Sequence, residues 1–530
     1  MAENESAEST INYPAWTDYQ KKNGLDPLGM QNSSVNLYQT FLPGISNVTL
    51  RMRYYGLYVW LCRTYAQTEG SDDPERWKRF VRRAEALYAL VAYRNGGETG
   101  VAGIQWAENA HDNTTADTID FASAADPGSD TKYLQQAWGA YGAAYGSQLF
   151  AIGIFWESPD HAIPVPSKST GDRLAEVFAN GLGDLAPLFA EVVERGTVTR
   201  DELDRLAPVV PSEINLTGDE RALYQEILLT PHDPEDANAL SRRLSLLLIL
   251  NVAGLLGREP TADEVRWVLY AGQDQKDRPL ELETIELEAQ RQRWWVYHAN
   301  DLCHIALETL LKFTLDTLSL YPNGIRLERL IPICIDRILE EVDEIPESWS
   351  GFLESLQPAT NPYTADDNAA EWLLCQDILR GAGRSDQSDC APEIAWNAVT
   401  LLAILHKRVH DEDHPVAAEL GSFNSEAFQT LLTETSFLSR HADEPFRDKL
   451  ARLIEQRIIR RHLWVAARKF QHGDYTFLIE TDEGRIRLRE KDGPVFTNPR
   501  LGPAITFLKD IHLVGGQGLT DDGFEAMAEA

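Results

Sequence analysis

The sequence predicts a mainly α protein, a multi-domain helical bundle with winged-helix-like elements and a short β-hairpin near the C-terminus. Three observations predict it. Apolar residues recur at helical spacing, as in "DPERWKRFVRRAEALYALVAYR", where Trp77, Phe80, Val81, Ala84, Leu87 and Tyr88 line one side opposite a strongly basic face. Three capping boxes mark helix starts, each a threonine that accepts from the backbone three residues on and a glutamate there that reaches back: Thr199 with Glu202, Thr217 with Glu220, Thr261 with Glu264. Alternation around Glu483 and Gly484 in "YTFLIETDEGRIRLREKDG" predicts the hairpin.

The elements divide into four regions. Residues 1–190 open with a polar, acidic stretch whose first ten residues should be mobile. "TLRMRYYGLYVWLCRTYA" follows as a helix with Leu50, Tyr54, Leu57, Tyr58 and Leu61 on its core side, capped by Thr49 or Asn47. Gly-, Asn- and Asp-rich residues 95–130 read as a long loop, and "YLQQAWGAYGAAYGSQLFAIGIF" as a helix ending near Gly153. Residues 191–335 form a central helical domain whose last long helix starts near Leu282 and stops at Pro322, Asn323 and Gly324. Residues 336–440 begin with ten acids against one base over 336–371, an acidic connector, and resume as helices at Ala370 and in "PEIAWNAVTLLAILHKRVH". Residues 441–530 hold a basic helix, the hairpin and a closing helix–strand–turn–helix.

Composition narrows the function classes. The 530 residues are 43% hydrophobic and 25% charged, within the globular range. A net charge of −33 repels nucleic acid and anionic lipid at long range, so contact with either needs a local basic patch. The five cysteines contain no C-x-x-C pair and read as reduced core thiols of a cytoplasmic protein. No secretory signal precedes the first helix. The apolar run "LSLLLILNVAGLLG" (244–257) is short for a membrane span and reads as a buried helix.

One basic region stands out. Residues 447–500 carry thirteen bases against eight acids. Arg457, Arg460, Arg461, Arg468, Lys469, Arg485, Arg487, Arg489 and Arg500 are the candidates for contacting nucleic acid, since guanidinium forks match phosphates. They could equally dock against the acidic middle of the chain. The helix–strand–turn–strand order occurs twice, near 130–190 and 470–530, which is the grammar of a winged helix that binds DNA or docks on protein.

Catalytic grammar is sparse. No phosphate loop, dinucleotide fingerprint, nucleophile elbow or H-E-x-x-H occurs. The best metal-like group is His406 and His410, four apart on a helix, with His414 beyond. His304 and Glu308 read as a hydrogen-bonded core pair. Asp474, Glu480 and Asp482 lack the Glu-x-Lys of a nuclease strand. No cofactor is expected.

"LYQTFLPGISNVTLRMRYYGLYVWLC" resembles the N-terminal signature of a family of uncharacterised bacterial proteins encoded among mobile elements and anti-phage defence genes. Its residues here are Pro43, Gly44, Ser46, Thr49, Arg51, Arg53, Tyr54, Tyr55 and Trp60. The resemblance covers about 30 residues and implies a defence neighbourhood of helicases, nucleases or ATPases rather than a reaction. In architecture the chain also looks like a kleisin, the bridging subunit of SMC-type ATPases. The expectation is a non-catalytic accessory or sensor subunit of a bacterial anti-phage or anti-plasmid complex, binding a partner ATPase, helicase or nuclease, with DNA as a further contact and no membrane. The alternatives are a kleisin-like bridge and a metal-dependent nuclease using His406 and His410.

Overall fold

The computed structural model describes residues 26–528, apart from 69–70, 127, 129–131, 159, 216, 232, 341, 385–387, 425–426 and 472–473. The first ten residues, expected to be mobile, lie outside the described residues. Helices dominate, and every sheet among the described residues has only two strands.

The organising element is the Ile285–Ser319 helix, on the order of 50 Å long at the usual helical rise. Thr284 caps it by accepting from the Leu287 N–H, and a turn at Tyr321–Gly324 stops it where Gly324 takes φ +73°. Helices Gln31–Gln39, Ala237–Leu256, Ala262–Ala271, Leu327–Leu339, Glu371–Ala382 and Pro392–Asp411 pack around it. It is buried on every side from Trp294 to Leu318, so its polar residues must find partners inside the protein. Ala237–Leu256 is long and apolar enough to cross a membrane, and most of it is buried in this core.

Two of the three capping boxes form, at Thr199 with Glu202 and at Thr261 with Glu264. The third does not. Helix Asp219–Leu229 starts after Gly218, Thr217 bonds to Asn215, and Glu220 turns inward to pair with Arg53. A buried guanidinium outbids a backbone N–H that water can satisfy.

Other expectations change where distant residues meet. Residues 95–130 hold helix Ile104–Asn113 and strand Thr118–Asp120, which pairs with Thr197–Thr199. Residues 133–138 are not helical; the helix there starts at 139, passes through a π-turn, Tyr141–Tyr145, and continues as Gly146–Ala151. Helix Arg53–Thr68 is buried all round from Arg53 to Cys62, and Leu50 lies outside it, 42% exposed. Neither Thr49 nor Asn47 caps it: Thr49 bonds to Ser46 and Asn47 to Asn498, while Asp510 accepts from the Met52 N–H. In the acidic connector, Glu371 is fully buried and paired with Arg408.

The hairpin forms as expected, Ile479–Asp482 against Arg485–Leu488, with Glu483 and Gly484 both at positive φ in its turn. Helix–hairpin–helix order occurs at both expected places. Gly146–Ala151, Phe155–Trp156, Val165–Pro166 and Gly171–Leu182 form one unit. Leu501–Asp510, Val514–Gly515, Gly518–Leu519 and Asp521–Ala528 form the other. All five cysteines are free and buried.

Candidate functional site

The signature residues build the interior rather than a surface. Gly44 O accepts from Tyr55 Oη, and Pro43 O from Arg242. The Thr49 hydroxyl accepts from the Ser46 N–H. Arg51 pairs with Glu98 at 2.7 Å and Asp510 at 3.0 Å. Arg53 donates to both oxygens of Glu220 and to Pro208 O and Val210 O. Burial opposes its charge, and Glu220 more than restores it. Tyr54 packs on Tyr58, Tyr88 and Tyr145, Tyr55 on Tyr145 and Phe507, and Trp60 on Phe178 and Phe189.

The basic region is largely engaged within the chain. Arg457 pairs with buried Glu434, and Arg461 donates to Leu28 O and Ala427 O, where burial brings its pKa down to about 10. Arg468 donates to Ala427 O, Lys469 to Asp26 O and Arg500 to Leu42 O. Arg460 pairs with Glu455, Arg487 with Glu480 and Asp482, and Arg489 with Glu480. Arg485 is exposed. Most of these cations therefore fasten the C-terminal region to residues 26–42 and 427–434.

His406 and His410 do share a face, with ring centroids 4.8 Å apart, and both contact Ser439. The Trp349 indole N–H can only donate, so His406 Nδ1 accepts it at 2.9 Å and the ring proton sits on Nε2. Burial, with His410 and Lys449 beside it, lowers His406 to about 4. His414 turns elsewhere, stacked on Trp295 and bonded to Gln292 and Glu412. Among the described residues no group of three or more His, Cys, Asp or Glu is placed to hold a metal ion. On the central helix, His304 Nε2 stands 2.9 Å from Glu308, and Nδ1 is 3.3 Å from Asp301. Burial opposes charging this ring, but Glu308 and Asp301 override it and raise His304 to about 10.

The cavity best suited to a ligand lies beside the first helix–hairpin–helix unit. It holds about 610 Å³ and is walled by Trp77, Trp138, Tyr141, Phe150 and Trp156, with Glu157 and His161 at its edge. That volume lies within the range of small-molecule sites. Its walls are set by buried chemistry. Glu85, fully buried, accepts from Tyr58 Oη, Tyr133 Oη and the N–H groups of Ala140 and Tyr141. Burial pushes this carboxyl up and the four donors pull it back. The grip fixes the start of the π-turn and so the position of Tyr141. Gly139, at φ +61°, is needed between Trp138 and Ala140: a Cβ there would come within 2.3 Å of Tyr133 Oη and Glu85 Oε2. A Cβ on Gly142 would strike Trp138.

Glu157, Ser158 and residues 161–164 of the hairpin loop line the pocket as well. Phe155 pairs with Pro166 and Trp156 with Val165 at the base of that loop. Cys62 Sγ bonds to Pro164 O and ties the loop to helix Arg53–Thr68. Trp156 is left 49% exposed, and the buried Trp77 indole N–H finds no acceptor. Aromatic faces carry negative quadrupole and suit flat or cationic groups. The sequence reading took Trp77 as core and the loop as a wing, so it missed this pocket. The available signal was a tryptophan beside the turn-forming "ESPD", where a core residue is out of place. Comparisons with protein-family models, with curated proteins and with solved structures each returned no match.

Proposed function

We propose that this chain is a non-catalytic accessory or sensor subunit of a bacterial anti-phage or anti-plasmid defence complex, acting in the cytoplasm beside a partner ATPase, helicase or nuclease. The aromatic pocket carries the reading. Its walls offer stacking and apolar contact, the chemistry of recognition, and two of them, Phe150 and Trp156, belong to a helix–hairpin–helix unit that reads as a winged-helix-like docking module. The N-terminal signature supplies the defence context. DNA contact would run through Arg460 and Arg487, members of the basic set that face solvent. The kleisin-like bridge and the His406/His410 nuclease draw no comparable support from the geometry.

The test is purification of the tagged chain from cells expressing its gene neighbourhood. An ATPase, helicase or nuclease should co-purify in fixed stoichiometry, and Trp156→Ala should release it or uncouple its activation. Metal-dependent plasmid cutting by the isolated chain, abolished by His410→Ala, would overturn the reading in favour of the nuclease.

A further inference from the structure

A second pocket, of about 670 Å³, lies just past the C-terminal end of the central helix, lined by Tyr321, Gly324, Ile325, Arg326, Glu328, Arg329 and Arg485. Backbone geometry forces its arginines together. Ile325 and Ile486 exchange both hydrogen bonds of an antiparallel bridge, at 2.9 and 2.8 Å, and bury their side chains. The next residues in that register are Arg326 and Arg485. Arg326 remains extended, at φ −71° and ψ 142°, so the two guanidiniums leave the same face of the bridge. Arg329 follows one turn into helix Leu327–Leu339, on the side of Arg326.

Like charges directly opposite across a strand pair are destabilising. Elsewhere the chain has acids to spare, with a net charge of −33, and many of its arginines are paired with them. Here Arg326, Arg329 and Arg485 make no ion pair or side-chain hydrogen bond among the described residues. Glu328 lines the same pocket and pairs with none of them. Asp482, across the hairpin from Arg485, is taken by Arg487.

We propose that Arg326, Arg329 and Arg485 form a binding site for a small oligophosphate, a ligand carrying two or more linked phosphates. Three guanidinium forks offer parallel N–H donors to phosphate oxygens. The size of the pocket fits a small molecule, and the strongly negative chain disfavours a long polyanion while leaving a short one to be held locally. Tyr321 supplies a ring on which a base could stack. The site is independent of the aromatic pocket and goes beyond the accessory reading.

Isothermal titration of the full chain with inorganic tripolyphosphate, with ATP and with a single-stranded oligonucleotide, at constant ionic strength, tests it. Saturable one-site binding of tripolyphosphate or ATP is expected, weakened at least tenfold by Arg329→Ala and by Arg485→Ala. ATP binding more tightly than tripolyphosphate identifies a nucleoside polyphosphate, and equal binding a free oligophosphate. The unliganded Arg485→Ala protein should melt no lower than the parent, because a repulsion is removed. No binding of either phosphate at millimolar concentration overturns the proposal, as does binding indifferent to both substitutions. Tighter binding of the oligonucleotide, lost with the same arginines, replaces it with a nucleic-acid contact.

Discussion

Replacing Arg53 by methionine separates a structural from a ligand-binding role for the signature. Its guanidinium is buried and meets both oxygens of Glu220 at 3.0 Å and the carbonyls of Pro208 and Val210 at 2.6 and 2.7 Å. Methionine fills much of the volume but leaves the Glu220 charge buried, helped among the described side chains only by Tyr224 Oη at 3.1 Å. Stranding one partner of a buried pair costs about 3–5 kcal/mol. Adding Glu220→Leu removes the stranded charge and should recover part of that loss. The two carbonyls still lack a donor, at about 1–3 kcal/mol each, so recovery stays incomplete. Guanidinium unfolding followed by circular dichroism, run as a double-mutant cycle, measures each term. A cost for Arg53→Met below about 1 kcal/mol, or equal costs for the single and double variants, would refute the reasoning.

Further outcomes follow from the same structure. The folded His304 pKa, about 10, lies above the ordinary histidine value of 6.5, so its stabilisation is complete below pH 6.5 and is lost as pH rises toward 10. The melting temperature of the parent should fall across that window more steeply than that of His304→Gln. His462 runs the other way. Its Nε2 accepts from the Leu478 N–H and burial lowers it to about 4, so its contribution is present above pH 6.5 and lost as pH falls toward 4. His462→Gln should flatten the acid limb of the stability curve. Thr261→Ala should cost about 1 kcal/mol as a lost cap, whereas Thr217→Ala should stay within about 0.5 kcal/mol, both read by thermal melting. Gly139→Ala should cost about 1–3 kcal/mol and alter tryptophan fluorescence as the Trp138 wall shifts.

Much of the fold was legible because its signals are local. The central helix, the hairpin and two caps each rest on residues within a few positions of one another. The short strand Thr118–Asp120 was not, because its partner lies about eighty residues on and its own sequence reads as loop. The third cap failed for a similar reason: Glu220 had a better partner in a helix far back in the chain. The aromatic pocket was illegible as a site, since Trp77, Trp138 and Trp156 come from three separate segments and each alone reads as core or turn.

By itself the sequence determined a mainly α chain, the limits of its long helices, its hairpin and its reduced cysteines. Propensity, periodicity and turn chemistry act over a few residues and need no distant partner. Only the tertiary structure decided where the charges go. Asp510 serves as the cap that Thr49 and Asn47 do not, and the basic C-terminal region spends most of its arginines on carboxylates and carbonyls of the same chain. It left Arg326, Arg329 and Arg485 together with no ion pair among the described residues. A buried charge needs a partner at hydrogen-bond distance, and three-dimensional packing alone determines which residues come that near.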